Sequence, residues 1–161
     1  MTSARTKKTF TDLRYFLALG FGSGLSPRAP GTAGTVAALP IVVLLLRQVD
    51  PLVYAAVTVF FLGVGIPLCE WVARDMAVKD PGCIVWDEIV GMLIAAWMLP
   101  NLLWLPVAFV LFRIFDIWKP WPVSWCDRQL TGGMGIMLDD VVAGLYSLLI
   151  LQGIAWVLSL M

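Results

Sequence analysis

Apolar residues fall in long blocks along this chain, and charged residues collect between the blocks. Phe10, Leu13, Phe16, Leu17, Leu19 and Phe21 recur at near-helical spacing, with Asp12 and Arg14 among them. That pattern predicts an amphipathic helix over residues 10–21 that either lies in a membrane interface or caps a bundle. Residues 1–9, polar and basic, read as a mobile tail. Residues 20–34 carry five glycines and two prolines in fifteen positions. This density of breakers predicts a loop and not a helix.

Four or five apolar helices are predicted beyond that loop. Thr35–Leu46 is interrupted only by Pro40, and Leu52–Leu68 has no charge. Ile89–Leu99 and Leu102–Phe112 are each too short to cross a hydrocarbon core of about 30 Å. They span only if the first begins near Ile84 and the second runs on to about Trp118. The alternative is a re-entrant hairpin turning at Pro100–Asn101. Val141–Met161 is charge-free and long enough to cross. The expected fold is all-α: a polytopic integral membrane bundle formed by residues 22–161, with an N-terminal interfacial helix, in one domain spanning residues 1–161.

Composition agrees. Hydrophobic residues make up 60% of the 161 positions and charged residues 14%, against about 45–50% (glycine included) and 25% in soluble domains. An ordinary soluble domain and a disordered chain are both excluded. Eleven Lys/Arg balance eleven Asp/Glu, so no basic field points to nucleic acid. The absence of histidine removes every mechanism that needs a His base, nucleophile or ligand. Cys69, Cys83 and Cys126 form no C-x-x-C pair and are odd in number, which predicts buried thiols facing a reducing compartment. The N-terminal stretch, broken by Asp12 and Arg14, does not read as a secretory signal.

If the N-terminus is cytoplasmic and each apolar run crosses once, ten cations lie on the cytoplasmic side and only Arg47 lies outside. This is a strong positive-inside bias. Ten of the eleven acids fall on the same side, which that rule does not explain. Acids gathered beside bases on one face suggest a site.

Four clusters make up that face. The glycine loop brings Ser23, Gly24, Ser26, Arg28, Thr32 and Thr35, whose backbone N–H groups can form an anion nest; a flexible connection is the competing reading. Asp87 and Glu88 open an apolar helix. Capping explains one such acid better than two, because adjacent residues point about 100° apart. Arg113, Asp116 and Lys119 are spaced as one polar stripe, either an internal salt-bridge ladder or a metal carboxylate flanked by phosphate-binding cations. Gly132–Gly135 leads to Asp139 and Asp140 at the predicted start of the last helix. Carboxylates without histidine or a thiolate cluster suit Mg²⁺ rather than Zn²⁺ or copper. A hard cation beside Arg and Lys suits phosphoryl chemistry on a membrane lipid.

The segments Gly22–Pro27, Pro30–Gly34, Ile84–Glu88 with Gly91-Met92, Arg113–Pro122, and Gly132–Asp140 with Ala143-Gly144 resemble, in order, the phosphatidylglycerophosphatase A family. The resemblance covers most of residues 20–145. It implies a bacterial inner-membrane enzyme, with its site facing the cytoplasm, that hydrolyses phosphatidylglycerophosphate with Mg²⁺. The candidate catalytic residues are Asp87, Glu88, Asp116, Asp139 and Asp140. The same five are candidate metal ligands, with Asp80 and then Asp75 behind them. Arg113, Lys119, Arg28, Ser23, Gly24 and Thr32 are candidates for binding phosphate. An activated water is the preferred nucleophile, and an aspartyl-phosphate stays open. The main rival from another class is a small cation transporter or channel that uses the acids as a cation site.

Overall fold

A computed structural model describes residues 3–161, and every regular element in it is helical. The helices are α1 (Ser3–Thr11), α2 (Leu13–Ala18), α3 (Pro30–Gln48), α4 (Pro51–Met76), α5 (Trp86–Ala95), α6 (Leu105–Trp118), α7 (Val123–Gln129) and α8 (Gly132–Ser159). Three of them, α3, α4 and α8, are long and apolar enough to cross a membrane.

Helix α8 is the hub, packing against α4, α5, α6 and α7, while α5 sits among α3, α4, α6 and α8. Helix α5 has only ten residues, about 15 Å. Ile89, Val90, Gly91, Met92, Leu93 and Ala95 are all buried, so protein surrounds it. A helix apolar on every side belongs inside a bundle. Helix α5 starts near Ile84 and α6 runs to Trp118, and the chain turns between them at Met98–Asn101. Gln152 of α8 donates to the Trp97 and Met98 carbonyls at that turn, both at 3.0 Å, and Asn101 accepts from Leu103 N–H at 2.9 Å. Backbone that leaves a helix away from water needs such partners.

Glycine sets how closely α8 crosses α5. A Cβ on Gly144 would lie 2.5 Å from the Gly91 carbonyl, and one on Gly91 would lie 2.5 Å from Phe112. Only hydrogen at both positions lets α8 lie this close to α5, which carries the site carboxylates.

Several expectations are corrected. The N-terminal tail is helical from Ser3, and Met1 and Thr2 lie outside the described residues. The helix expected over residues 10–21 breaks at Asp12, whose extended backbone and side-chain bond from Arg14 N–H at 2.9 Å start α2 afresh. Part of the predicted loop, Pro30–Gly34, is the first turn of α3, because proline at the helix start presets φ. Helix α4 continues to Met76 and carries Glu70, Arg74 and Asp75 beyond the apolar run. Gly132–Gly135 is likewise the first turn of α8 and not a loop. Helix α7 was not foreseen.

Candidate active site

The chemistry-bearing residues meet where the start of α3, the start of α5, the end of α6 and the second to third turns of α8 come together. Asp87, Glu88 and Asp140 each offer a carboxylate oxygen, and these three atoms lie within 4.8 Å of one another. The Asp116 carboxyl approaches that of Asp140 closely, and the Asp87 and Glu88 carboxyls approach each other. Arg113 Nη1 forms an ion pair with Asp116, and the same nitrogen lies 3.5 Å from Thr35 Oγ1. Gly31, in the first turn of α3, faces this assembly. A Cβ there would lie 2.3 Å from Glu88 Oε1 and 3.2 Å from Arg113 Nη1. The glycine is what allows Glu88 and Arg113 to reach the helix start.

Capping no longer accounts for the acids of α8. Asp139 and Asp140 sit seven and eight residues after Gly132, outside the first turn where a cap or the helix dipole acts. Being adjacent, they point about 100° apart. Asp140 turns toward Asp87 and Glu88. Asp139 turns the other way and accepts from Lys119 Nζ at 2.8 Å. Lys119 also pairs with Asp127 of α7. It can do so because it ends α6 in a left-handed conformation, φ 47°, which turns it off the stripe it was expected to share with Arg113 and Asp116. Burial alone disfavours its charge, but the two carboxylates outweigh that and hold Lys119 above its ordinary range.

Asp87 Oδ1, Glu88 Oε2, Asp139 Oδ1 and Arg113 Nε are buried and lack a hydrogen-bond partner within the protein. Two of these orphaned oxygens belong to the three-carboxylate cluster. Buried acceptors without donors are costly, and a cation placed among them removes the cost. The donor set is all carboxylate, which fits a hard divalent ion such as Mg²⁺.

The remaining candidates lie elsewhere. Asp80 is exposed in the loop before α5 and shares a cleft with Lys79, Asp127, Thr131 and Asp139. Asp75 is held by Lys8 and by the Tyr15 hydroxyl, and so fastens the N-terminal helices to α4. The Ser23 hydroxyl donates to the Gly20 carbonyl at 2.8 Å, and Gly24 packs on the Cys83 carbonyl. Arg28 is exposed, and Thr32 is half-buried in the first turn of α3. The three cysteines are buried, and no disulfide is formed among the described residues. Asp127 escaped the sequence reading because α7 is seven residues long and sits between prolines and glycines. Glu70 also escaped it; its carboxylate accepts from Gly133 N–H at the start of α8.

A family model described as phosphatidylglycerophosphatase A matches residues 16–155. Phosphatidylglycerophosphatase A of Escherichia coli is 47% identical over 146 residues, covering 89% of this chain and 84% of its own. The Haemophilus influenzae protein of the same name is 42% identical over 144 residues, 88% of each chain. A Bacteroides thetaiotaomicron protein with the provisional name phosphatidylinositol-3-phosphatase is 40% identical over 158 residues, 91% of this chain and 96% of its own. No solved structure matches.

Proposed function

The chain belongs to the phosphatidylglycerophosphatase A family, and from that premise we propose that it hydrolyses phosphatidylglycerophosphate to phosphatidylglycerol and inorganic phosphate. The observation that carries this reading is the meeting of Asp87, Glu88 and Asp140 within 4.8 Å, with orphaned oxygens, beside the Arg113 guanidinium. We place the site at the cytoplasmic face of a bacterial inner membrane, because ten of the eleven cations fall on the side that carries it.

Asp87, Glu88 and Asp140 would hold Mg²⁺, with Asp116 next to them. Bound there, Mg²⁺ supplies Lewis-acid polarisation of a phosphoryl oxygen. Arg113 neutralises a second phosphate oxygen, and Asp116 fixes its guanidinium through the ion pair. Lys119 has three N–H donors. Asp127 and Asp139 engage it, and the remaining donor is left for phosphate. A water oxygen forms the new bond to phosphorus. The bond from phosphorus to the glycerol oxygen breaks, and that oxygen leaves as the hydroxyl of phosphatidylglycerol after taking a proton. The carboxylates lie at one end of the helices and not midway along them, which suits a headgroup at the interface better than a path for ions.

Purified protein in detergent should release phosphate from phosphatidylglycerophosphate when Mg²⁺ is present, stop on addition of EDTA, and resume when Mg²⁺ is restored. Turnover indifferent to chelation would reject the metal part of the reading. No turnover of this lipid in either condition would reject the substrate.

A further inference from the structure

A lipid phosphatase must receive an apolar tail as well as a phosphate, and the outer face of α6 has a feature suited to the tail. Phe109, Val110, Arg113, Ile114, Ile117 and Trp118 line a groove of about 400 Å³. Their numbers advance by one and three residues alternately, so 109, 113 and 117 and 110, 114 and 118 form two neighbouring i, i+4 rows along a single helix face. The groove extends about 14 Å along the axis, at about 1.5 Å per residue. Val110, Ile114, Ile117 and Trp118 are all exposed, Trp118 to 75%.

Arg113 is the single charged residue of the groove, and it belongs equally to the carboxylate site. The residue lines the groove, and its guanidinium pairs with Asp116 and reaches Thr35 and the Gly31 turn beside Glu88. Other apolar surfaces lack that continuity. The exposed Leu149, Ile150, Trp156 and Val157 of α8 are as apolar as the groove, but they lie in the C-terminal half of that helix, beyond the acids at 139 and 140. The groove thus couples an apolar trough to a phosphate-binding cation, the same pairing of properties that a phospholipid presents.

We propose that this α6 groove seats an acyl chain of the lipid substrate and guides its phosphate to Arg113. Trp118 stands at the headgroup level, where tryptophan is favoured. The chain runs from there toward Phe109. The proposal rests on the lipid phosphatase reading above, and it adds that selectivity for the tail resides in the lipid-facing row of α6.

The test compares phosphatidylglycerophosphate bearing long chains with the same headgroup on six-carbon chains, using the full-length protein in mixed micelles. Ile114→Trp fills the groove and should lower kcat/KM for the long-chain lipid at least about fivefold more than for the short-chain lipid, since each lost methylene contact weakens binding several-fold. Ile114→Ala, a small change at a position 45% exposed, shortens one wall and should reduce the long-chain preference about twofold. Leu149→Trp, on the other exposed face, should leave both substrates unchanged. Equal losses on both chain lengths in the Ile114 variants, or equal effects of Leu149→Trp and Ile114→Trp, would overturn the groove. A wild-type protein that turns over neither lipid would instead overturn the functional reading on which the groove depends.

Discussion

Asp139 and Asp140 are neighbours in the same helix turn, yet they serve two different clusters. Asp139 shares Lys119 with Asp127, so its charge is balanced from within the chain. Asp140 meets Asp87 and Glu88, with Asp116 close by, and among the described residues Arg113 is the cation paired at this cluster of four carboxylates. A rotation of about 100° per residue is enough to separate the two roles. The lysine cluster holds its own cation, although Asp139 Oδ1 is left without a hydrogen-bond partner. The three-carboxylate cluster keeps orphaned oxygens on Asp87 and Glu88, which suit the cation proposed for it. Under the proposed function the same pair of aspartates divides into a supporting half and a reacting half, and the division can be attacked from either side.

The largest effect is expected at the reacting half. Asp140→Asn and Asp87→Asn should each lower phosphate release more than about 100-fold, since each removes a charge from the proposed metal-binding set. Asp139→Asn should cost clearly less, because Lys119 still keeps Asp127. Equal losses at 139 and 140 in the same phosphate-release assay would erase the distinction. Metal binding offers a second way to separate them. A saturating divalent ion should stabilise the wild-type protein by about 2.7 kcal/mol at 100 times its dissociation constant, read as a rise in Tm in detergent. Asp140→Asn should abolish the rise and Asp139→Asn should keep it. A rise that survives in Asp140→Asn would mean the ion binds elsewhere.

The halves also differ in how far the sequence revealed them. Paired acids at 87–88 and 139–140, no histidine and one-sided charge were enough to point to a carboxylate site, since those are statements about residue type and order. The pattern also conveyed the all-helical, membrane-type bundle, because apolar runs in Leu52–Leu68 and Val141–Met161 have few other uses. What it hid was direction. Glycines at 31, 132, 133 and 135 read as loop signals, yet they are helical. Their missing Cβ atoms admit Glu88 and Arg113 in one place, and the Ile66 carbonyl and Glu70 in the other. Tertiary contact overrode local propensity there. The helix ends at Trp118 as expected, but the spacing of Arg113, Asp116 and Lys119 did not show that a left-handed Lys119 turns toward α7 and α8.

The supporting half should show smaller effects, on stability before chemistry. Lys119→Met leaves Asp139 buried without its donor and should cost about 2 kcal/mol, the range for losing a hydrogen bond to a charged group. Denaturant titration in detergent would measure it. The sign of its pH dependence follows from the raised folded-state value. The stabilisation is complete below the ordinary lysine value of 10.5 and fades only as pH rises through the higher one. From roughly pH 6 to 9 the stability should therefore carry no step that Lys119→Met removes. Such a step would show that the lysine is not held charged by its two partners.

The smallest expected effect, and the finest probe of the comparison, is Asp127→Asn. Its side chain is 38% exposed while that of Asp139 is 11% exposed, so solvent already screens much of its attraction to Lys119. The change should cost less than about 1 kcal/mol, as exposed pairs do. With one partner gone, Lys119 is left to Asp139 alone, at 2.8 Å. If the two carboxylates serve to hold the ammonium in place for phosphate, KM should rise modestly while kcat stays near its wild-type value. A fall in kcat with KM unchanged would instead put Asp127 in the reacting half, and the boundary drawn between neighbouring aspartates would have to move to include it.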